Sequence, residues 1–504
     1  MAYVQTYRKQ FILILLFFVA YCLFLSWSFL FQNVDDAYIS FRYGWNMMRG
    51  NGLVYNAGEY VEGYTNFLWT VITAPFTIIG IADVSVFAIL IGLSISIFNI
   101  AFLAKIGRHF NHEFEPYKIL LIFIPSLFMA IDNSIAFWAI GGMESPLYTF
   151  FILGILYSYF NINKGDKYIH YLALSLMLCT LTRPEGNMIF AILIFHLLLF
   201  RKKVINFKKV FLKLIFIYAL FCLVYYGFKY FYYGQIIPNT FYAKGVTDFQ
   251  MNLVLGSKYL ALCIGTRLYI FIFIAFIPFK NSLKRFNESF LLIFVAIYII
   301  YIVAVGGDWM IANRFFVPIL PLFYLLSILG IISMFIKIQK IFKNIDQTKK
   351  YAYRLIAVLS VILFTVTLSF LEYKQLIIKD DNANYEMHWS MFGKWLKMNV
   401  HENTVIAVGP AGKIPYYSEL YTIDMWGLNN DYIAHTKSKR LQAGHKKFDF
   451  QYVLSLKPEF IIGGYEGFTE KDIPDTYIKF NAPEDEYKCY DIVYRLKEEY
   501  RKKK

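Results

Sequence analysis

Two adjacent carboxylates, Asp35 and Asp36, stand directly after a long apolar run, and charged side chains recur at the borders of later apolar runs. Glu144 lies in AIGGMESPLY, Arg183 and Glu185 flank Pro184 in LTRPEGN, and Lys244 ends PNTFYAK. Asp308 and Arg314 fall within GGDWMIANRFFVP, beside a Gly-Gly bend. The first polar stretch adds Arg42, Glu59 and Glu62, and the tail adds Asp424 in TIDMWGLN. Ionisable groups at a membrane edge are costly unless they are solvated, paired or turned to a cavity. A carboxylate there can take a proton from an attacking hydroxyl. Arginine offers a phosphate a planar fork, and lysine a point charge.

Asp35 is therefore the first candidate for a general base, with Asp36 a second candidate or a partner that orients the acceptor. Arg183 and Lys244 are candidate phosphate contacts, and Arg314 a third that competes with pairing to Asp308. Glu62, Glu144, Glu185 and Asp308 are candidates for sugar or acceptor contacts, and Asp424 for a residue facing the site from the tail. Each has a plainer alternative: Asp35 in a salt bridge to Arg42, the glutamates as helix caps, Asp424 as a turn acid. His435 and His445 are too isolated to suggest a metal, and no metal or other cofactor is expected.

The elements that must position these residues follow from composition. The chain has 504 residues, 58% hydrophobic and 20% aromatic, with 17% charged. A soluble protein of this length cannot enclose that much apolar surface, which implies a polytopic membrane protein. The net charge of +15 comes from clusters between apolar runs, such as Arg201-Lys202-Lys203 with Lys208-Lys209. That is the signature of cytoplasmic loops rather than a nucleic-acid stripe. Of the cysteines, Cys22, Cys179, Cys222 and Cys263 lie in apolar segments and Cys489 in the tail, with no disulfide or metal spacing.

Candidate spans fall near 11–30, 67–82, 85–104, 117–131, 145–160, 168–182, 187–200, 210–230, 258–279, 288–305, 315–336 and 353–372. The first is read as a retained signal anchor. Basic loops at 201–209, 280–285 and 337–354 belong inside. The segment 31–66, the turn at 182–187, the loops at 231–257 and 306–314, and the tail then fall outside. Twelve full crossings would return the tail to the inside, so 11 or 13 are expected. The 117–131 segment, about 15 residues, is short for a crossing. Residues 1–375 form the membrane module, and 376–504 a polar α/β domain with strand-like runs at 405–408 and 460–462.

The stretch DDAYISFRYGWNMMRGNGLVYNAGEYVEGYTNFLW resembles the first outer loop of bacterial GT-C membrane glycosyltransferases, in particular the mycobacterial terminal arabinofuranosyltransferase and its relatives. GGMESPLY, TRPEG, PNTFYAK, GGDWMIANRFFVP and, in the tail, AGKIPYYSELYTIDMWGLNN and GHKKFDFQYVLSLKPEFII are similar to later motifs in the same order. The resemblance implies a GT-C bundle of about 11–13 spans with a C-terminal extracytoplasmic domain. It also implies inverting sugar transfer from a polyprenyl-phosphate donor, with Asp35 matching the acid held to be the base and Asp36 its partner. The partners expected are a lipid-linked donor, membrane lipids and an envelope glycan or glycoconjugate, at the outer face of a bacterial inner membrane. Two alternatives stand beside it. An oligosaccharide ligase with a diphosphate-linked donor generally relies on a large late outer loop. A transporter or flippase would show repeat symmetry and mid-span charges.

Overall fold

The computed structural model describes residues 11–21, 34–110, 118–244, 249–267, 272, 274–275, 277–341, 381–437, 447–463, 473–481 and 493–501. The expected span at 353–372, the boundary at 375–376, most of the basic loop at 337–354, and Cys22, Cys489 and His445 lie outside them.

Among the described residues, Val84–Phe110, Phe207–Tyr233, Phe286–Val305 and Val317–Lys337 are helices long and apolar enough to cross a membrane. They are apolar all round rather than striped, as bilayer and enclosed positions both require. Leu120–Ile131 and Asn133–Ile140 form a further apolar pair, bent by 63°. The bend sits at Asp132, whose side chain accepts from the Ile135 N–H and so caps the second half. The shorter helices Ser145–Phe160, Lys167–Thr182 and Gly186–Leu199 pack side by side in sequence.

Contacts between loops show which ends coincide. The Lys203 ammonium donates to the Lys284 carbonyl, Asn287 donates to the His109 carbonyl at 3.1 Å, and His109 meets Asn161 at 2.7 Å. The basic loops at 201–209 and 280–285 thus share one end of the bundle, the end the charge rule assigns to the inside. The opposite end carries the acidic pair and the C-terminal domain.

Two expectations change at that opposite end. Residues 67–82 are not a crossing: the helical stretch Phe67–Thr77 is only about 16 Å long, and Asp83 touches the C-terminal domain through Tyr417. Residues 31–66 are also more than a loop, because Asp35–Met48 is a helix with most of its residues buried. Asp35 and Asp36 occupy its first turn, where carboxylates complement the helix dipole.

The C-terminal domain is a five-stranded sheet in the order β2-β1-β3-β5-β4, with β1 Val405–Val408, β2 Tyr421–Asp424, β3 Phe460–Ile462, β4 Tyr477–Lys479 and β5 Val493–Leu496. β1 pairs parallel with β2 and β3, while β5 pairs antiparallel with β3 and β4. The central strands read as continuous apolar runs because both faces are covered. Helices Asp381–Asn399 and Lys413–Ser418 pack together over one face, through Phe392, Trp395 and Ile414.

The domain is bolted to the helix 35–48 and to the loop after it. Arg42 donates to the Tyr55, Pro415 and Leu420 carbonyls and to Asn56 Oδ1. It therefore pairs with carbonyls rather than with Asp35, and burial pushes its pKa below the usual guanidinium range. Tyr55 donates to the Ala411 carbonyl at 2.7 Å, and Asn56 exchanges bonds with the Thr422 backbone at 2.9 and 3.1 Å.

Candidate active site

A cavity of about 590 Å³ opens between the helix 35–48, the ends of the bundle helices and the C-terminal domain. It is lined by Asp36, Glu144, Arg183, Glu185, Lys244, Asp308 and Arg314. These residues come from separate sequence motifs, and the fold brings them together. Apolar side chains complete the walls, among them Ile236, Ile237, Leu255, Val305, Trp309 and Phe315.

The local backbone explains how each charge arrives. Pro184 ends the helix 167–182, and Arg183 before it takes the extended conformation that a following proline favours. Arg183 then donates to both oxygens of Glu185, at 3.3 and 2.9 Å, and to Glu144 at 2.7 Å. Glu144 also accepts from Asn66 at 2.9 Å, and Glu185 from Tyr301 at 3.1 Å. At the end of the helix 286–305, Gly306 and Gly307 are both left-handed, and a Cβ at Gly307 would strike the Tyr259 ring. This glycine pair turns the chain so that Asp308 meets Arg314 in a two-point pair at 2.7 and 3.2 Å. Arg314 Nη1 also stands 4.0 Å from Asp36.

Lys244 follows the short helix Asn239–Ala243. Among the described residues its ammonium has no hydrogen bond or ion pair. Burial, the neighbouring Arg314 and Arg183 lower its pKa, against the pull of Asp36 and Asp308. One turn earlier, the buried Thr240 hydroxyl also lines the cavity and among the described residues has no hydrogen-bond partner. Among the described residues, the cavity therefore holds ion pairs that are already satisfied and one cation, Lys244, that is not.

The remaining sequence candidates lie elsewhere. Asp35 does not line the cavity: its carboxylate accepts from the Gly412 and Lys413 backbone N–H groups at 2.9 and 2.7 Å. Gly412 is fixed by this contact, since a Cβ there would overlap the Asp35 carbonyl. Asp424 is fully buried at the end of β2 and accepts from Trp426 and Asn429, closing a turn instead of facing the cavity. Burial raises its pKa.

Glu62 stands behind the cavity wall in an ion pair of 2.9 Å with Lys229, both almost wholly buried. Burial pushes the Glu62 carboxyl up to about 7, against the pull of Lys229. Lys229 itself lines the cavity and was not among the sequence candidates. Its signal was a lone cation near the end of the 27-residue apolar helix 207–233. Asn66 and Tyr301 were also not singled out. Among the described residues, no three His, Cys, Asp or Glu side chains are grouped to hold a metal ion.

Comparison with solved structures places this fold in a known architecture. ArnT from Cupriavidus metallidurans, solved bound to undecaprenyl phosphate, superimposes with a TM-score of 0.58 at 11% identity, over 95% of this chain and 97% of that one. The chain has the GT-C fold. The Archaeoglobus fulgidus oligosaccharyltransferase matches with a TM-score of 0.58 at 12% identity over 82% of this chain, which spans 64% of that protein's length. The same archaeal protein, AglB, solved with an inhibitory peptide and a dolichol-phosphate, gives a TM-score of 0.56 at 11% identity. A family described as "Domain of unknown function (DUF8728)" matches residues 376–501. No curated protein sequence matches the chain. The fold and the apolar helices together make this an integral membrane protein.

Proposed function

We propose that this protein is a membrane glycosyltransferase that moves a sugar from a polyprenyl-phosphate donor to an envelope glycan or glycoconjugate. The transfer would take place on the outer face of the bacterial cytoplasmic membrane, with the C-terminal domain on that side. The observation that carries the reading is Lys244, which among the described residues is an unpaired cation in a cavity whose other cations have carboxylate partners. Lys244 lines the cavity where it can meet the single negative charge that a phosphodiester carries. Thr240 adds a free hydroxyl one turn away. The apolar walls suit a lipid tail, and the structural relatives carrying undecaprenyl phosphate and dolichol-phosphate support a lipid carrier.

In this reading Asp36, not Asp35, is the base, because Asp36 faces the cavity while both oxygens of Asp35 are engaged by backbone N–H groups. Asp36 accepts the proton of the acceptor hydroxyl as that oxygen bonds to the anomeric carbon. The carbon–oxygen bond to phosphate breaks on the opposite face, which inverts the configuration, and the electron pair leaves on the phosphate. Lys244 and Arg314 offset the charge that develops there. Arg183 holds Glu144 and Glu185 in place for sugar or acceptor hydroxyls, and the Asp308–Arg314 pair fixes the guanidinium.

A diphosphate-linked oligosaccharide donor would bring more negative charge than the one unpaired cation matches. The order of motifs favours a single-sugar transferase of the arabinofuranosyltransferase kind, with the sugar itself open. The reaction is proposed to need no divalent cation. The direct test is transfer in membranes supplied with labelled polyprenyl-phosphate sugars, with and without a chelator. Asp36→Asn should abolish transfer, and Lys244→Gln should raise the donor concentration required. Unchanged donor dependence in Lys244→Gln would remove the phosphate assignment.

A further inference from the structure

A further buried ion pair lies away from the cavity, between Asp132 and Arg267. Arg267 Nε and Nη2 donate to Asp132 at 3.0 and 3.2 Å, and Nη2 also donates to the Ser134 hydroxyl at 2.7 Å. Tyr324 donates to Asp132 at 2.6 Å. A buried pair of this quality is costly to assemble and is weak evidence for stability alone, so its position in the fold is the informative part. It stands at the 63° bend from which the half-helix Asn133–Ile140 departs.

Trp138 is on that half-helix and almost wholly buried. Its indole N–H donates to the Ala312 carbonyl at 3.0 Å. Ala312 and Asn313 are both left-handed, with φ of 55° and 47°, a conformation non-glycine residues adopt at a cost. The next residue is Arg314, whose guanidinium also lies 5.9 Å from the Trp138 ring. Asp308 fixes the guanidinium end of Arg314, while Trp138 fixes the backbone beneath it.

We propose that Trp138 is a positioning residue for the phosphate pocket: it clamps the left-handed Ala312–Asn313 turn, and the Asp132–Arg267 pair sets the angle from which it does so. The proposal rests on the reading of the cavity as a lipid-phosphate site. It assigns to a residue remote from the reacting atoms the task of holding Arg314 where a phosphate needs it. Loss of one neutral hydrogen bond in such a chain is expected to weaken binding about two- to ten-fold.

The test is a double-mutant cycle on the full-length protein in detergent, titrated with undecaprenyl phosphate and read by native mass spectrometry. The four proteins are wild type, Trp138→Phe, Arg314→Gln and the double variant. Trp138→Phe keeps an aromatic ring, though a smaller one, and loses the N–H. It should weaken carrier binding in the wild-type background and have no further effect beside Arg314→Gln. A merely structural role would weaken both backgrounds alike. Equal weakening in both, or none in either, overturns the inference. Failure of the wild type to bind the carrier overturns the proposed function instead. Should Trp138→Phe not purify folded, the uncharged pair Asp132→Asn with Arg267→Gln carries the same cycle, with the same dependence on Arg314 expected.

Discussion

The Asp83 carboxylate accepts a hydrogen bond from the Tyr417 hydroxyl at 2.6 Å, across 334 positions of sequence. Tyr38, from the helix that begins with the acidic pair, reaches the same carboxylate at 3.5 Å and the Tyr417 hydroxyl at 3.1 Å. The start of the helix 84–107 is therefore on the same side as the C-terminal domain and as Asp35 and Asp36. Removing 67–82 from the candidate spans leaves an odd number, which is what a tail on the outer side requires.

This sidedness is open to direct labelling. Ile81 is exposed at the tip of the turn before Asp83. Ile81→Cys should react with a membrane-impermeant maleimide from the same side as a cysteine at Glu59, and from the opposite side to one at Lys164. Reaction of Ile81→Cys from the Lys164 side would restore the 67–82 crossing and overturn the topology.

How much of this was legible beforehand depended on which physical signal each residue leaves in a sequence. The strands at 405–408 and 460–462 were readable because buried parallel strands are unbroken apolar runs. The charges at 144, 183, 185, 244, 308 and 314 were readable as residues near the cavity because ionisable groups at span ends are few and expensive. The direction of a side chain is not readable in that way. Asp35 and Asp36 are neighbours in one helical turn, yet one faces the domain and the other the cavity. Lys229 was hidden by the apolar average of its helix, and Asp132 and Arg267 by lying in or beside candidate spans that look like uninterrupted apolar sequence. The length of 67–82 suggested a crossing because apolar content does not reveal that the helix stops at Thr77.

The adjacent acids should separate experimentally. Asp35→Asn replaces a charged acceptor of two backbone N–H groups, each such bond contributing about 1.5–3 kcal/mol. It should loosen the C-terminal domain and expose the 400–420 region to limited proteolysis, with partial loss of transfer. Gly412→Ala should behave alike, because its Cβ meets the same residue. Asp36→Asn should abolish transfer and leave the proteolysis pattern unchanged. Equal protease sensitivity in Asp35→Asn and Asp36→Asn would argue against this division of roles.

The Glu62–Lys229 pair predicts a pH dependence of stability with a definite sign. The folded carboxyl titrates at about 7, above its ordinary value of 4.5, so the folded state holds the proton more tightly than the unfolded one. Its contribution is complete below the unfolded value and is lost as pH rises through about 7. Thermal unfolding of the detergent-solubilised protein should therefore show wild type losing stability relative to Glu62→Gln between about pH 5 and about pH 8. Parallel profiles for the two proteins would show that Glu62 does not titrate in this window.

The Asp132–Arg267 pair predicts a large effect on stability. Asp132→Asn retains the shape of the side chain but leaves the Arg267 guanidinium buried without its counter-charge. Breaking a buried pair from one side costs about 3–5 kcal/mol, whereas replacing both partners by apolar groups of similar volume is often neutral. Asp132→Asn and Arg267→Met should each lower the unfolding temperature sharply, and Asp132→Leu combined with Arg267→Met should recover much of the loss. Recovery of stability in the double variant without recovery of undecaprenyl phosphate binding would separate two roles of the pair. Holding the bundle together needs only volume at the bend, whereas fixing the 63° angle beneath Trp138 needs the directed bonds from Arg267 to Asp132 and Ser134. A double variant that regains both would show that the angle is set by packing alone.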